Sequence, residues 1–367
     1  SLVASVHSRL SGSTVYRSKD FGKTWKPAAK PPEFPNDKLK RRVDHIFYLA
    51  PGHDSEEKVW YAGTSPQGLF RSEDCGDTWE SVEGFNNNSM WKKWTADSLE
   101  GYPKVSKLHS ILIDPMEKEH MYLGMSYGGI FETTDEGKTW EQVGTCELCS
   151  SVQTIVVTEG DPNFVWVAAD GGLLYSKDGG RTWSGNVISY LDERAMEPQN
   201  LRENKPPKVV GLAAQPGNPG TMLAASSESG MFRSTDGGAS WARSNEGLTS
   251  SKLHRVQFSI SNPDVAYLAT HDGVFRSDDA GKSWTERNQG LLDKHVNPIA
   301  IHPTNEDIVF VGTSNEMYTI HPEHQRRGLY EGGGMYKTVD GGKNWVRSDK
   351  GIIEAKAAQL ATHPLFP

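Results

Sequence analysis

Three histidines occupy matching places in the chain. His45, His109 and His254 each stand at the start of an apolar run that reaches a proline or a second apolar run a few residues later. A neutral imidazole can ligate a metal, act as general acid or base, or donate a hydrogen bond to an anion. The same alignment puts Gln153, Val210, Asn297 and Ala358 at the equivalent place in the other runs, so polar residues dominate this register. A second register, at the ends of the loops that follow, collects Pro66, Tyr127, Asp170, Glu228 and His271. The candidate catalytic set is therefore His45, His109, Tyr127, His254 and Asp170. Gln153, Glu228, His271 and Asn297 are candidate ligand-binding groups, and a divalent metal, if one binds, would sit on His45, His109 and His254. The competing reading is that these imidazoles only satisfy polar loop ends around a water-filled channel.

Two insertions enlarge the same face. Residues 84–107 carry Trp91, Lys92, Lys93, Trp94 and Tyr102, and residues 315–333 carry His321, His324, Arg326, Arg327 and Tyr330. Indoles beside cations suit stacking on sugar rings and pairing with carboxylates or sulfates, which makes Trp91, Trp94, Arg326 and Arg327 candidate ligand contacts. Trp91 and Trp94 packing only their own loop is the alternative. A third segment, 185–207, has mixed charge and suits a solvated cover.

The elements that must hold these residues are visible as a repeat. The pattern Ser/Thr-x-Asp-x-Gly-x-Ser/Thr/Asn-Trp is centred on Asp20, Asp74, Asp135, Asp178, Asp236, Asp279 and Asp340, and each copy ends in a tryptophan. The spacing gives each copy room for four short strands. The Asp accepts backbone N–H groups in a tight turn, the Gly supplies positive φ, and the Trp is an apolar plug between units, so these aspartates read as structural. Leu2–Val6 resembles a second strand with no first strand before it, whereas Gln359–Pro364 matches the first-strand pattern of Ile301-His302-Pro303. The expectation is one all-β, seven-bladed β-propeller over residues 1–367, closed by a C-terminal strand near 356–363 that completes the first blade.

These residues resemble Asp-box, or bacterial neuraminidase repeat, propellers, a group that includes sialidases, xyloglucanases, sortilin-type receptors and a photosystem II assembly factor. Tyr61-Ala62-Gly63-Thr64-Ser65-Pro66-Gln67-Gly68-Leu69-Phe70-Arg71-Ser72 is similar to segments of compact bacterial sialidase-like or glycosyl-hydrolase-like repeat proteins. A sialidase resemblance would imply an arginine triad and a Phe-Arg-Ile-Pro motif, and that motif does not occur. A xyloglucanase resemblance would imply paired carboxylates across a cleft between two propellers, whereas this chain builds one. For general glycoside hydrolysis, which needs two carboxylates about 5–10 Å apart, Asp170, Glu228 and Asp272 are the acids on the relevant face.

Composition sets the remaining bounds. A formal charge of −8 gives no general pull towards nucleic acid or anionic membranes, apart from a local basic run at Lys38, Lys40, Arg41 and Arg42. No apolar stretch has the length of a membrane span, and no signal peptide precedes the first strand, so a soluble, cytoplasmic monomer is expected. Three cysteines make no disulfide framework. Two function classes follow: a propeller whose His/Tyr/Trp/Arg-rich face binds a saccharide-like or anionic small molecule, with hydrolase or lyase chemistry within its reach, and a non-enzymatic interaction or assembly scaffold.

Overall fold

The computed structural model describes residues 2–8, 12–35, 41–90, 106–126, 128–144, 152–158, 161–169, 172–185, 208–227, 229–313, 333–352 and 356–363. Seven four-stranded antiparallel sheets form the blades of a β-propeller, each with strands A to D from the axis outward. The axial A strands are Lys356–Thr362, His45–Pro51, Leu108–Ile113, Val152–Thr158, Val209–Gln215, Leu253–Phe258 and Val296–His302, in blades one to seven. Blade one takes strand A from the end of the chain and strand B, Leu2–Ser8, from its beginning, in the register Leu2↔Thr362 and Ser5↔Gln359. The expected closure is thus observed, and it removes a sheet edge that an open array would expose. Among the described residues helix is confined to one turn at Glu83–Asn86, and no helix there is long and apolar enough to cross a membrane.

Each repeat motif forms the turn between strands C and D. In the first, Asp20 Oδ1 accepts from the Ser18 hydroxyl at 2.8 Å and from Thr24 N at 2.9 Å, while Gly22 N donates to Ser18 Oγ at 2.8 Å. The backbone crosses the left-handed region at two successive residues, Phe21 (φ 56°) and Gly22 (φ 80°). Sequence predicts the second; the first is held at a bulky residue by the Asp-centred bonds around it. The glycine is needed for space as well as φ: a Cβ on Gly238 would meet the Trp166 ring of the preceding blade at 2.2 Å.

The motif tryptophans join the blades. Trp25, Trp284 and Trp345 are nearly fully buried, and their indole N–H groups donate to Ser348 O, Ser244 O and Arg287 O of the preceding blade. Trp79, Trp140 and Trp241 instead donate to the glycine carbonyl of their own motif. Trp25 therefore ties blade one to blade seven, in addition to the strand pairing that completes blade one.

Candidate functional site

Every A strand begins at what we call the upper face and runs towards the lower face, where the Asp-box turns lie. Near its start each A strand carries a β-bulge, where the ladder to strand B skips a residue. The skipped residues are Ala358, Phe47, His109, Gln153, Val210, His254 and the pair Asn297-Pro298, in blades one to seven. A bulge releases a residue from the ladder and re-aims its side chain. The seven bulges thus form one level around the axis.

This level matches the sequence-derived register in six blades and corrects it in the second. His45 pairs regularly with Ser65, and the equivalent of His109 and His254 is Phe47, two residues later. The misalignment arises because Pro51 lies within the blade-two strand instead of just beyond it, so counting back from the proline overshoots.

His45 nonetheless belongs to the same surface. Its ring stacks on His7 with centroids 4.2 Å apart and planes 19° from parallel, and it lies 5.7 Å from Phe47. Phe47 in turn lies 5.6 Å from His109, and the Lys107 ammonium sits 4.7 Å above the Phe47 ring. Four rings from blades one, two and three therefore form a continuous row. Two members of the row are held by polar contacts: His7 Nδ1 meets Ser13 Oγ at 2.9 Å, and His45 Nδ1 meets Asp44 Oδ2 at 2.7 Å.

A second group forms at blades six and seven. His254 stacks on His295 at 5.0 Å, and His271 lies 4.6 Å from His295 and 6.5 Å from His254. Asp272 Oδ1 is 3.7 Å from His271 Nδ1, and its other oxygen accepts from Ser250 Oγ at 2.7 Å. The three histidines singled out from sequence thus divide between two groups, His45 and His109 in the row and His254 in the trio. Among the described residues no group of three or more His, Cys, Asp or Glu side chains is placed to hold a metal ion. The proposed metal set of His45, His109 and His254 is not assembled.

Just below the bulges, Arg255, Tyr48 and Gln359 cross the channel from blades six, two and one. The Arg255 guanidinium lies 5.7 Å from the Tyr48 ring centroid, and its Nη1 donates to Gln359 Oε1 at 3.0 Å. Beneath this bar lies a cavity of about 480 Å³ lined by the lower A strands and the turns that follow them, from His53 and Pro115 to Pro216, Ile260 and Pro303. None of His45, His109, Gln153, His254, His271 or Asn297 lines it. Gln153 and Asn297 stay at the bulge level, Asn297 exposed.

Tyr127, Asp170, Glu228, Trp91, Trp94, Arg326 and Arg327 lie outside the described residues, as do Lys38 and Lys40 of the basic run; its Arg41 lies over the Phe34 ring at 4.3 Å. Sequence reasoning missed His7, Phe47, His295 and Arg255. His7 ends strand B of blade one, a position legible by extending the second register to the first repeat. His295 immediately precedes strand A of blade seven, and Phe47 was hidden by the misplaced register.

A family model described as Sortilin, neurotensin receptor 3 matches residues 229–364, and two Asp-box repeat models match residues 15–27 and 174–184. The chain is 30% identical over 252 residues to xyloglucanase Xgh74A from Acetivibrio thermocellus, covering 62% of this chain and 28% of that protein. It is 26% identical over 219 residues to a xyloglucanase from a Paenibacillus species, covering 52% and 20%. It therefore spans less than a third of the length of these curated relatives. Similar folds occur in a GH74 xyloglucanase from Xanthomonas campestris (TM-score 0.58, 16% identity, 93% of this chain and 57% of that one) and in YCF48 bound to D1 peptide (TM-score 0.52, 17% identity, 82% and 80%).

Proposed function

Because this chain is an Asp-box β-propeller, we propose that its upper face is a saccharide-binding surface, with the row His7, His45, Phe47 and His109 as stacking platform and the trio His254, His271 and His295 as hydrogen-bonding groups. The observation that carries this reading is the continuity of the four rings, each centroid within 5.7 Å of the next. Flat rings present apolar faces to the C–H faces of a sugar, while the imidazole nitrogens supply donors and acceptors for its hydroxyls. The xyloglucanases that the chain resembles in sequence favour a saccharide over other polar ligands.

The chemistry proposed for this face is binding. Hydrolysis needs two carboxylates about 5–10 Å apart. Of the acids named from sequence, Asp272 stands beside His271, and Asp170 and Glu228 lie outside the described residues. The test is calorimetric titration of the full chain with xyloglucan oligosaccharides, with product analysis of the same mixtures. Saturable binding lost in Phe47→Ala supports the reading, and released shorter sugars would add hydrolase or lyase activity to it. Silence towards all sugars together with capture of extended peptides would replace it by the protein-docking alternative.

A further inference from the structure

The cavity beneath the bar has apolar walls, including Ile111, Leu212, Phe258 and Ile301, and an arginine at its inner end. Elsewhere Arg17, Arg71, Arg276 and Arg347 each pair with a carboxylate. Arg255 pairs with none among the described residues. Its partners, the Gln359 amide and the Tyr48 ring, are both neutral. Its positive charge stands at the end of a mainly apolar cavity, with no carboxylate beside it among the described residues. Gly211 faces it from blade five: a Cβ there would meet Arg255 Cα at 3.4 Å and Val256 N at 3.2 Å. At the lower rim, Ile260 is 57% exposed, and Asp54 contributes an exposed carboxylate.

We propose that this cavity is a second ligand site, distinct from the upper face, and that it takes a monocarboxylic acid with an apolar body. The carboxylate pairs with the planar N–H fork of Arg255, and the hydrocarbon or aryl portion lies along the walls. The volume of about 480 Å³ is that of a small-molecule pocket, commonly ~300–1,000 Å³. Asp54 at the rim repels a second carboxylate, so the site selects a monoanion over a dianion of the same length.

The experiment is calorimetric titration of the full chain with octanoate and phenylpropanoate, against octanamide, which lacks the charge, and suberate, which carries a second one. Octanoate and phenylpropanoate are expected to bind, and octanamide and suberate at least about tenfold more weakly. Arg255→Met is expected to abolish acid binding. Leu212→Trp, which fills the cavity and keeps the arginine, is expected to do the same and serves if Arg255→Met does not fold. The proposal is overturned if octanamide binds as well as octanoate, if Arg255→Met keeps its affinity, or if neither acid binds the unaltered chain more tightly than about 1 mM.

Discussion

Arg255 and Tyr48 meet across the axis although they belong to blades six and two, with the guanidinium 5.7 Å from the ring centroid. With Gln359 as third member, they separate the upper mouth, ringed by bulges, from the apolar cavity below. The channel is thereby divided into two spaces with different chemistry, one of imidazoles and an aromatic ring, the other a mainly apolar cavity with a cation at its inner end.

The division makes the two spaces separable by mutation. Phe47→Ala removes the centre of the ring row and should weaken oligosaccharide binding at least about tenfold, ~1.4 kcal/mol. Leu212→Trp, on the wall below the bar, should leave that affinity within about twofold. Calorimetry on both variants checks this; equal losses would mean that the upper face and the cavity are one site.

A second prediction concerns a buried clamp near the lower face of blade three. His120 Nδ1 lies 2.9 Å from Asp114 Oδ2, and Nε2 lies 2.9 Å from Glu132 Oε1, which also accepts from the Tyr122 hydroxyl at 3.0 Å. The hydrogen bond to Glu132 raises the His120 pKa. Burial pushes Glu132 upward, but the bonds from His120 and Tyr122 outweigh it and hold the carboxyl below its usual value. The raised histidine contributes stability fully present below its unfolded pKa of 6.5 and lost as pH rises through the folded value. The lowered glutamate contributes stability present above 4.5 and lost as pH falls through its folded value. Both contributions are complete between those two pH values. His120→Gln should lower the melting temperature most inside that window, by ~1–3 kcal/mol in stability, and melts of both proteins from acid to mildly alkaline pH test it.

The Asp boxes predict an acid limit. Hydrogen bonds from the Thr24, Thr182 and Asn344 side chains hold Asp20, Asp178 and Asp340 at about 2, from an ordinary 3.8. A depressed carboxylate stabilises the fold above 3.8 and loses that contribution as pH falls towards 2. The groups are exposed, so each contribution is small and screened, and the effect comes from the set. Circular dichroism melts should show the steepest fall in melting temperature in that interval, with a shallower fall in Asp20→Asn; an unchanged slope would remove the boxes as the cause.

Trp25 and Trp79 should differ in where their loss is felt. Both are almost wholly buried, so either alanine variant should cost ~3–5 kcal/mol. Trp25 reaches Ser348 O in the last blade, whereas Trp79 bonds Gly76 O in its own turn. Amide exchange in Leu2–Ser8 should therefore accelerate in Trp25→Ala and remain near its original rate in Trp79→Ala. Equal protection in both would show that the shared strand alone holds the junction.

Blade number, closure and the level of His109, Gln153 and His254 near the start of their A strands were legible because the Asp-box spacing and period-two strands are local patterns. Phe47 was not, because a bulge changes register without changing composition, and the proline used as a ruler sits inside one strand. Arg255 escaped notice for a different reason. Its significance lies in the company it keeps, Tyr48 and Gln359 from distant blades, and no sequence interval records that meeting. The trio was half visible: His254 and His271 fell in separate registers, and His295 joins them from the neighbouring blade.

The pairing of Leu2–Ser8 with Lys356–Thr362 also has a consequence for biosynthesis. Strand B of blade one is synthesised before the other six blades and its axial partner after them, so those six can form while blade one still lacks its inner strand. Until then Leu2–Ser8 presents an unsatisfied edge, which makes this segment a point at which nascent chains are prone to pair with one another.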